Sequence, residues 1–217
     1  MKGDRLGAKV LSVKMIPNAS PALLKKLKIE PAMRSLGVLT SDCDDVSYAA
    51  LDEATKKANV TVAYARSMYA GSTNASTKLA GEFVGVLAGP DPEEVRSGLQ
   101  AAIDYIENVA SFYSASDDDK IVYFAHCISA TGSYLSGLAG VRQGTAMAYL
   151  IAPPLEAMVA LDAALKVAEV ELKVFYGPPT ETNFAGGLLT GDQAACKAAC
   201  EAFANIVTEI AEKPKTY

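Results

Sequence analysis

Three aspartates crowd the segment SDCDDVSY at 41–48: Asp42, Asp44 and Asp45. Carboxylates set this close at the start of an apolar-periodic stretch suit a helix N-terminus, where one caps the free amides and the others complement the helix dipole. Like charges so near repel one another unless something positive stands among them. The same cluster therefore also suits one or two carboxylates facing a small cationic ligand. Acid–base catalysis by a carboxylate remains formally open.

The other chemistry-bearing residues point less clearly. The single histidine, His126, lies in IVYFAHCI, a strand-like run with no Ser or Cys nucleophile and orienting group near it in sequence. A packed or interface histidine is expected. Cys43, Cys127, Cys196 and Cys200 include no C-x-x-C pair. Cys196 and Cys200 stand one helical turn apart, and the expected role is two small buried residues on an apolar helix face. All four are expected as free thiols, and no metal site or cofactor is expected. Neither G-x-x-x-x-G-K-[ST], G-x-G-x-x-G after a strand, nor G-x-S-x-G occurs.

Composition narrows the class. Half of the 217 residues are hydrophobic and 21% are charged, which suits a globular chain with a sizeable core. The net charge of −5 disfavours nucleic acid as a partner. Lys25, Lys26 and Lys28 form the one basic cluster, read as the solvated face of a short helix. The sequence contains no apolar run long enough for a membrane span and no secretory h-region, so a cytoplasmic place is expected.

The elements that must position these residues come from an internal repeat. LDEATKKANV at 51–60 matches LDAALKVAEV at 161–170 at Leu, Asp, Ala, Lys, Ala and Val. An apolar run precedes each (LGVLT at 36–40, AYLIA at 148–152) and a β-rich run follows each (VTVAYA, ELKVFY). Further on, GVLAG at 85–89 parallels GLLTG at 187–191. Both lead into amphipathic helices. The first carries Val95, Leu99, Ala102, Ile103 and Ile106 inward, capped by Asp91. The second carries Cys196, Ala199, Cys200, Phe203, Ile206 and Ile210 inward, capped by Asp192. Upstream, VLSVKMI with LLKKL corresponds to IVYFAHCI with YLSGL. The unit is strand, short helix, strand, helix, strand, strand, helix, and it occurs twice. The polar stretch SFYSASDDDK at 111–120 reads as the joint, giving domains 1–112 and 113–217. Each is expected to be a small α/β sandwich, a sheet with helices on one side. Long loops at matching places, 65–82 and 177–187, suggest a function at a shared location.

Taken together, RSLGVLTSDCDDVSYAALDEATKKANVTVAYARSMYAG, GSYLS, AYLIAPPLEAMVALDAALK, PPTETNFAG and LTGDQAACKAAC resemble the EutL family of shell proteins of ethanolamine-utilization bacterial microcompartments. The likeness runs from about Val10 to about Ala211. It implies two tandem, circularly permuted microcompartment domains and a homotrimer that forms a flat pseudohexameric tile beside other shell proteins. It implies passage or sensing of small molecules rather than covalent chemistry. The resemblance also implies an ethanolamine site made of Asp44, Asp45, Glu82 and Phe112. The loops of a gated central channel would be 66–80 and 178–186, with Tyr69, Gly71 and Phe184 as pore residues. Two other readings compete: a soluble small-molecule sensor with paired α/β domains, and an enzyme using the Asp44/Asp45 cluster.

Overall fold

The computed structural model describes residues 1–68 and 77–216. Its elements run β1 (Arg5–Gly7), β2 (Val10–Ile16), α1 (Pro21–Leu27), β3 (Ser35–Ser41), α2 (Asp44–Lys57), β4 (Thr61–Ser67), β5 (Phe83–Gly89) and α3 (Pro92–Asp104). A π-helical turn over Tyr105–Val109 follows. Then come β6 (Ser111–Ser114), β7 (Val122–Ile128), α4 (Ser133–Ala139), β8 (Ala146–Ala152), α5 (Pro154–Val167), β9 (Glu171–Tyr176), β10 (Ala185–Gly191) and α6 (Gln193–Glu212). The seven-element unit read from the sequence is present twice: β2 through α3, and β7 through α6.

The chain forms two compact units. The first comprises Gly7–Ala110 with Gly132–Leu135; the second comprises Met1–Leu6, Ser111–Thr131 and the chain from Ser136 onward. Relative to a division after residue 112, the first six residues and Ser111–Phe112 fall in the second unit, because β1 adds to its sheet beside β6. Gly3 N donates to the Ser114 carbonyl at 2.8 Å and Ser114 N to Asp4 at 3.0 Å. The stretch at 111–120 thus begins as a strand, where only a joint was expected.

In the first unit the strands lie in the order β2-β3-β5-β4, with every neighbouring pair antiparallel. Alternation along the strands gives each sheet face its own core. One face packs against α2 and α3 and buries Leu39, Leu51, Val46, Phe83, Leu87 and Ile106 completely. Burial of such a side chain is worth about 1.5–3 kcal/mol. On α3, Val95, Leu99 and Ala102 turn inward as the 3.6-residue period requires, and Asp91 caps it by accepting from Glu93 N and Glu94 N. Residues of opposite parity, Leu36, Val86 and Ala88, form a smaller cluster with Leu24 of α1. Lys25 and Lys26 of that helix remain exposed.

The second unit repeats this order as β7-β8-β10-β9, extended by β6 and β1. Ala146, Ala148, Leu150 and Ala152 of β8 face α5 and α6, whose Ala157, Ala160, Ala164, Cys196, Ala199, Cys200, Phe203 and Val207 complete the cluster. Val207 takes the inward place expected of Ile210. The opposite face of the same sheet is aromatic. Phe124 lies 5.4 Å from Phe112, 5.3 Å from His126 and 5.3 Å from Tyr149, measured between ring centroids. His126 is a half-buried member of this stack. Among the described residues, no helix is long and apolar enough to cross a membrane.

Candidate functional site

The acidic segment sits where three strand ends meet. Phe83, the first residue of β5, pairs with Ser41 at the end of β3 and with Ser67 at the end of β4. The chain leaves β3 at Ser41 and enters α2 within three residues, so α2 begins close to the end of β3. Ser41 Oγ and Ser47 Oγ lie 2.5 Å apart, and both donate to the Cys43 carbonyl, at 3.0 Å and 2.7 Å. This knot fixes the turn.

The expected capping differs from what is found. Cys43 holds the cap position of α2 and no side chain caps it. Asp42 instead turns back to the residue just before β2, its Oδ1 accepting from Lys9 N at 2.6 Å. Asp44 and Asp45 occupy the first helical turn, where the dipole favours negative charge. Each is only 6% exposed. Asp44 Oδ1 accepts from Asp45 N at 2.9 Å.

Glu82 is tied to the end of β3 through its backbone. Gly81 before it has φ +62°, a conformation that suits glycine, and a Cβ there would collide with the Ser41 carbonyl. Glu82 N donates to that carbonyl at 2.9 Å, and the Glu82 carbonyl accepts from Met68 N at 2.7 Å. The two ends of the segment between β4 and β5 are thereby tied together. Burial pushes the Cys43 thiol well above its ordinary pKa, and Asp45, Asp44 and Glu82 push it further in the same direction. One thiol therefore feels all three carboxylates.

Tyr48, one turn beyond Asp44, was not singled out in the sequence. Its hydroxyl lies 2.9 Å from Ser67 Oγ. Its ring meets Phe83 edge-on at 4.9 Å and stacks on Tyr134 at 6.3 Å with 13° between planes. Burial, and then Asp44 and Asp45, raise its phenol pKa. The i, i+4 spacing from Asp44 was the one available signal.

Phe112 belongs to β6 in the second unit, packed on Phe124 and, at 5.8 Å, on Phe184. Phe184 is half-buried, and its N–H donates to Thr180 Oγ1 at 3.1 Å. Tyr69 and Gly71 lie outside the described residues. Among the described residues, no cluster of His, Cys, Asp and Glu is arranged to hold a metal ion.

A repeated antiparallel sheet flanked by paired helices, with charge gathered at one set of strand ends, defines a class. The BMC domain model matches residues 35–116, the span from β3 through β6 that contains the acidic cluster. The shell protein EutL of Clostridium perfringens (strain 13 / Type A) is 64% identical over 99% of this chain and 99% of its own length. EutL of Escherichia coli (strain K12) is 49% identical over 97% of this chain and 96% of its own. The crystal structure of ethanolamine utilization protein EutL from Leptotrichia buccalis C-1013-b superposes with a TM-score of 0.98 at 64% identity, with both chains fully covered. The chain belongs to the EutL family of bacterial microcompartment shell proteins. It is accordingly a structural component of a microcompartment shell, built on the tandem α/β fold of that family, and not an enzyme.

Proposed function

We propose that this shell protein assembles as a homotrimeric, six-edged tile among other shell proteins and binds a small amino-alcohol cation at Asp44, Asp45 and Glu82. Ethanolamine is the first candidate, and the tile's loops at 66–80 and 178–186 gate its passage. The observation that carries this reading is that two nearly buried carboxylates, Asp44 and Asp45, follow Cys43 at the start of α2, while the Glu82 amide is tied to the Ser41 carbonyl at the adjoining end of β3. Enclosed like charges favour a positive guest. Each ammonium–carboxylate hydrogen bond is worth about 1.5–3 kcal/mol. A ligand of so few heavy atoms gains at most about −6 kcal/mol, a dissociation constant of tens of micromolar at best. Such a site reports on an abundant metabolite and does not scavenge a scarce one. Because Glu82 also closes the segment between β4 and β5 by its backbone, a ligand held by its side chain acts on one end of loop 66–80.

Titration calorimetry with ethanolamine tests the site. Saturable binding is expected for the wild type, with at least tenfold weaker binding for Glu82→Gln. Choline serves as the competing cation and Phe112→Ala examines separately the role that the family likeness gives that ring. Absence of saturation at millimolar ethanolamine would overturn the ligand reading. Light scattering tests the tile, with about three times 22.7 kDa expected.

A further inference from the structure

Asp52 lies two turns beyond the acidic cluster on the same helix, and it is wholly buried, at 0% exposure. Its partners are backbone amides. Oδ2 accepts from Gly132 N at 2.6 Å and Oδ1 from Leu135 N at 2.8 Å. Thr55, on the next turn, accepts from Ser133 N at 3.0 Å through Oγ1. The free amides at the start of α4 are thus satisfied by side chains of α2. The fit is close: a Cβ on Gly132 would collide with Thr55 Oγ1 and the Asp52 carbonyl.

The segment held this way, Gly132–Leu135, belongs to the first unit and carries Tyr134. That ring stacks on Tyr48, and the Tyr48 hydroxyl meets Ser67 at the end of β4. Burial pushes the Tyr134 phenol pKa far up, with Tyr48 raising it further, Arg66 of β4 lowering it and Asp52 raising it. The charged neighbours of Asp52 itself are Lys56 and Glu53 of α2.

We infer that Asp52 is a positioning residue of the carboxylate site: by binding the amides of Gly132 and Leu135 it holds Tyr134 against Tyr48, and so fixes the Tyr48 ring one turn from Asp44 with its hydroxyl on Ser67. The inference rests on the ligand reading above for what the positioning serves. The latch itself stands on the hydrogen bonds and the ring stack alone.

Two measurements on the full chain decide it: spectrophotometric titration of the tyrosines at alkaline pH, and calorimetry with ethanolamine. Asp52→Asn keeps the side-chain size but turns an amide NH2 toward a backbone N–H. Gly132→Ala leaves Asp52 intact and pushes the segment away from the other side. In both, one more tyrosine is expected to ionise near its ordinary pKa of about 10, and ethanolamine binding to weaken at least fivefold. Adding Tyr134→Phe should remove the extra tyrosine signal. Asp162→Asn, at the matching place in the second repeat, should change neither measurement. Should Asp52→Asn fail to fold, Gly132→Ala and Thr55→Val carry the decision. Titration curves that superpose on the wild type overturn the latch. Unchanged affinity in a protein whose tyrosine has been released overturns the positioning role. A wild type that binds no ethanolamine sinks the ligand reading and with it the positioning role, while the titration still decides whether Asp52 holds Tyr134.

Discussion

Helices α2 and α5 are the same helix twice, with opposite chemistry. Both have 14 residues, and both lead from the second strand of the repeat to the third. Asp52 and Asp162 hold matching positions. Asp52 is buried among backbone amides, whereas the Asp162 side chain is 63% exposed and pairs with Lys166 at 2.5 Å. At the helix start, Asp44 and Asp45 are matched by Pro154 and Leu155, and Tyr48 by Met158. Glu82 is matched by Phe184, and the residues just before these two share a left-handed backbone: φ is +62° at Gly81 and +66° at Asn183. The backbone route is kept, while the polar groups at the helix start and at Glu82 have been exchanged for apolar ones. Burying a carboxylate is costly unless its lone pairs are met, so the first repeat carries a second layer of donors that the second repeat does not need. Fold and site are separable in this chain.

The sharpest way to break this comparison is to truncate both aspartates. Asp52→Ala leaves the amides of Gly132 and Leu135 without their acceptor, and is expected to cost about 2–4 kcal/mol. Asp162→Ala removes an exposed pair and should stay within about 0.5 kcal/mol. Denaturant unfolding at one fixed protein concentration reads both. Next in size, Asp44→Asn and Asp45→Asn should each weaken ethanolamine binding about tenfold or more, the loss of one charge-assisted bond. Leu155→Ala at the matching place should leave it unchanged.

The pH dependence sharpens the contrast further. Burial raises the Asp52 pKa above 3.8, and this outweighs the lowering by the Gly132 and Leu135 amides and by Lys56. The folded chain therefore holds this proton better than the unfolded one. The stability linked to it is full below the unfolded value and is lost as pH rises through the folded value. The stability gap between wild type and Asp52→Ala should accordingly narrow as pH rises from 4 toward 7. The smallest effect concerns the thiols. Burial pushes Cys196 up to about 11 and Cys200 higher still. At pH 8 iodoacetamide should label half-buried Cys127 before either, and a reducing agent should leave the melting temperature unchanged.

The repeat was legible because hydrophobic periodicity is local: six matching positions in ten and two apolar runs suffice to lay out seven elements twice. The caps at Asp91 and Asp192 were legible for the same reason, since an acceptor and its amides lie within three residues. Strands β1 and β6 were not, because three- and four-residue strands rich in Gly and Ser carry no alternation and owe their pairing to distant chain. Nor was the difference between Asp52 and Asp162. Both sit in the same LDxA context, and the Asp52 partner Gly132 is 80 residues away. The acidic cluster announced itself as charge, yet its individual roles depended on where neighbouring chain passes: Asp42 turned to the residue just before β2, and the cap position went to Cys43.

The matched order of the two sheets, β2-β3-β5-β4 and β7-β8-β10-β9, has a consequence for counting. A shell tile made from a single repeat would carry an identical port at every corner. With two repeats fused in one polypeptide, the rotational symmetry of any assembly is halved, while the outline it presents to its neighbours need not change. Under the proposed binding function, ligand stoichiometry is expected to follow the chain and not the domain, because the acidic cluster occurs once for each pair of sheets. The second repeat, with Pro154, Leu155 and Phe184 at the matching places, keeps the outline without the charge.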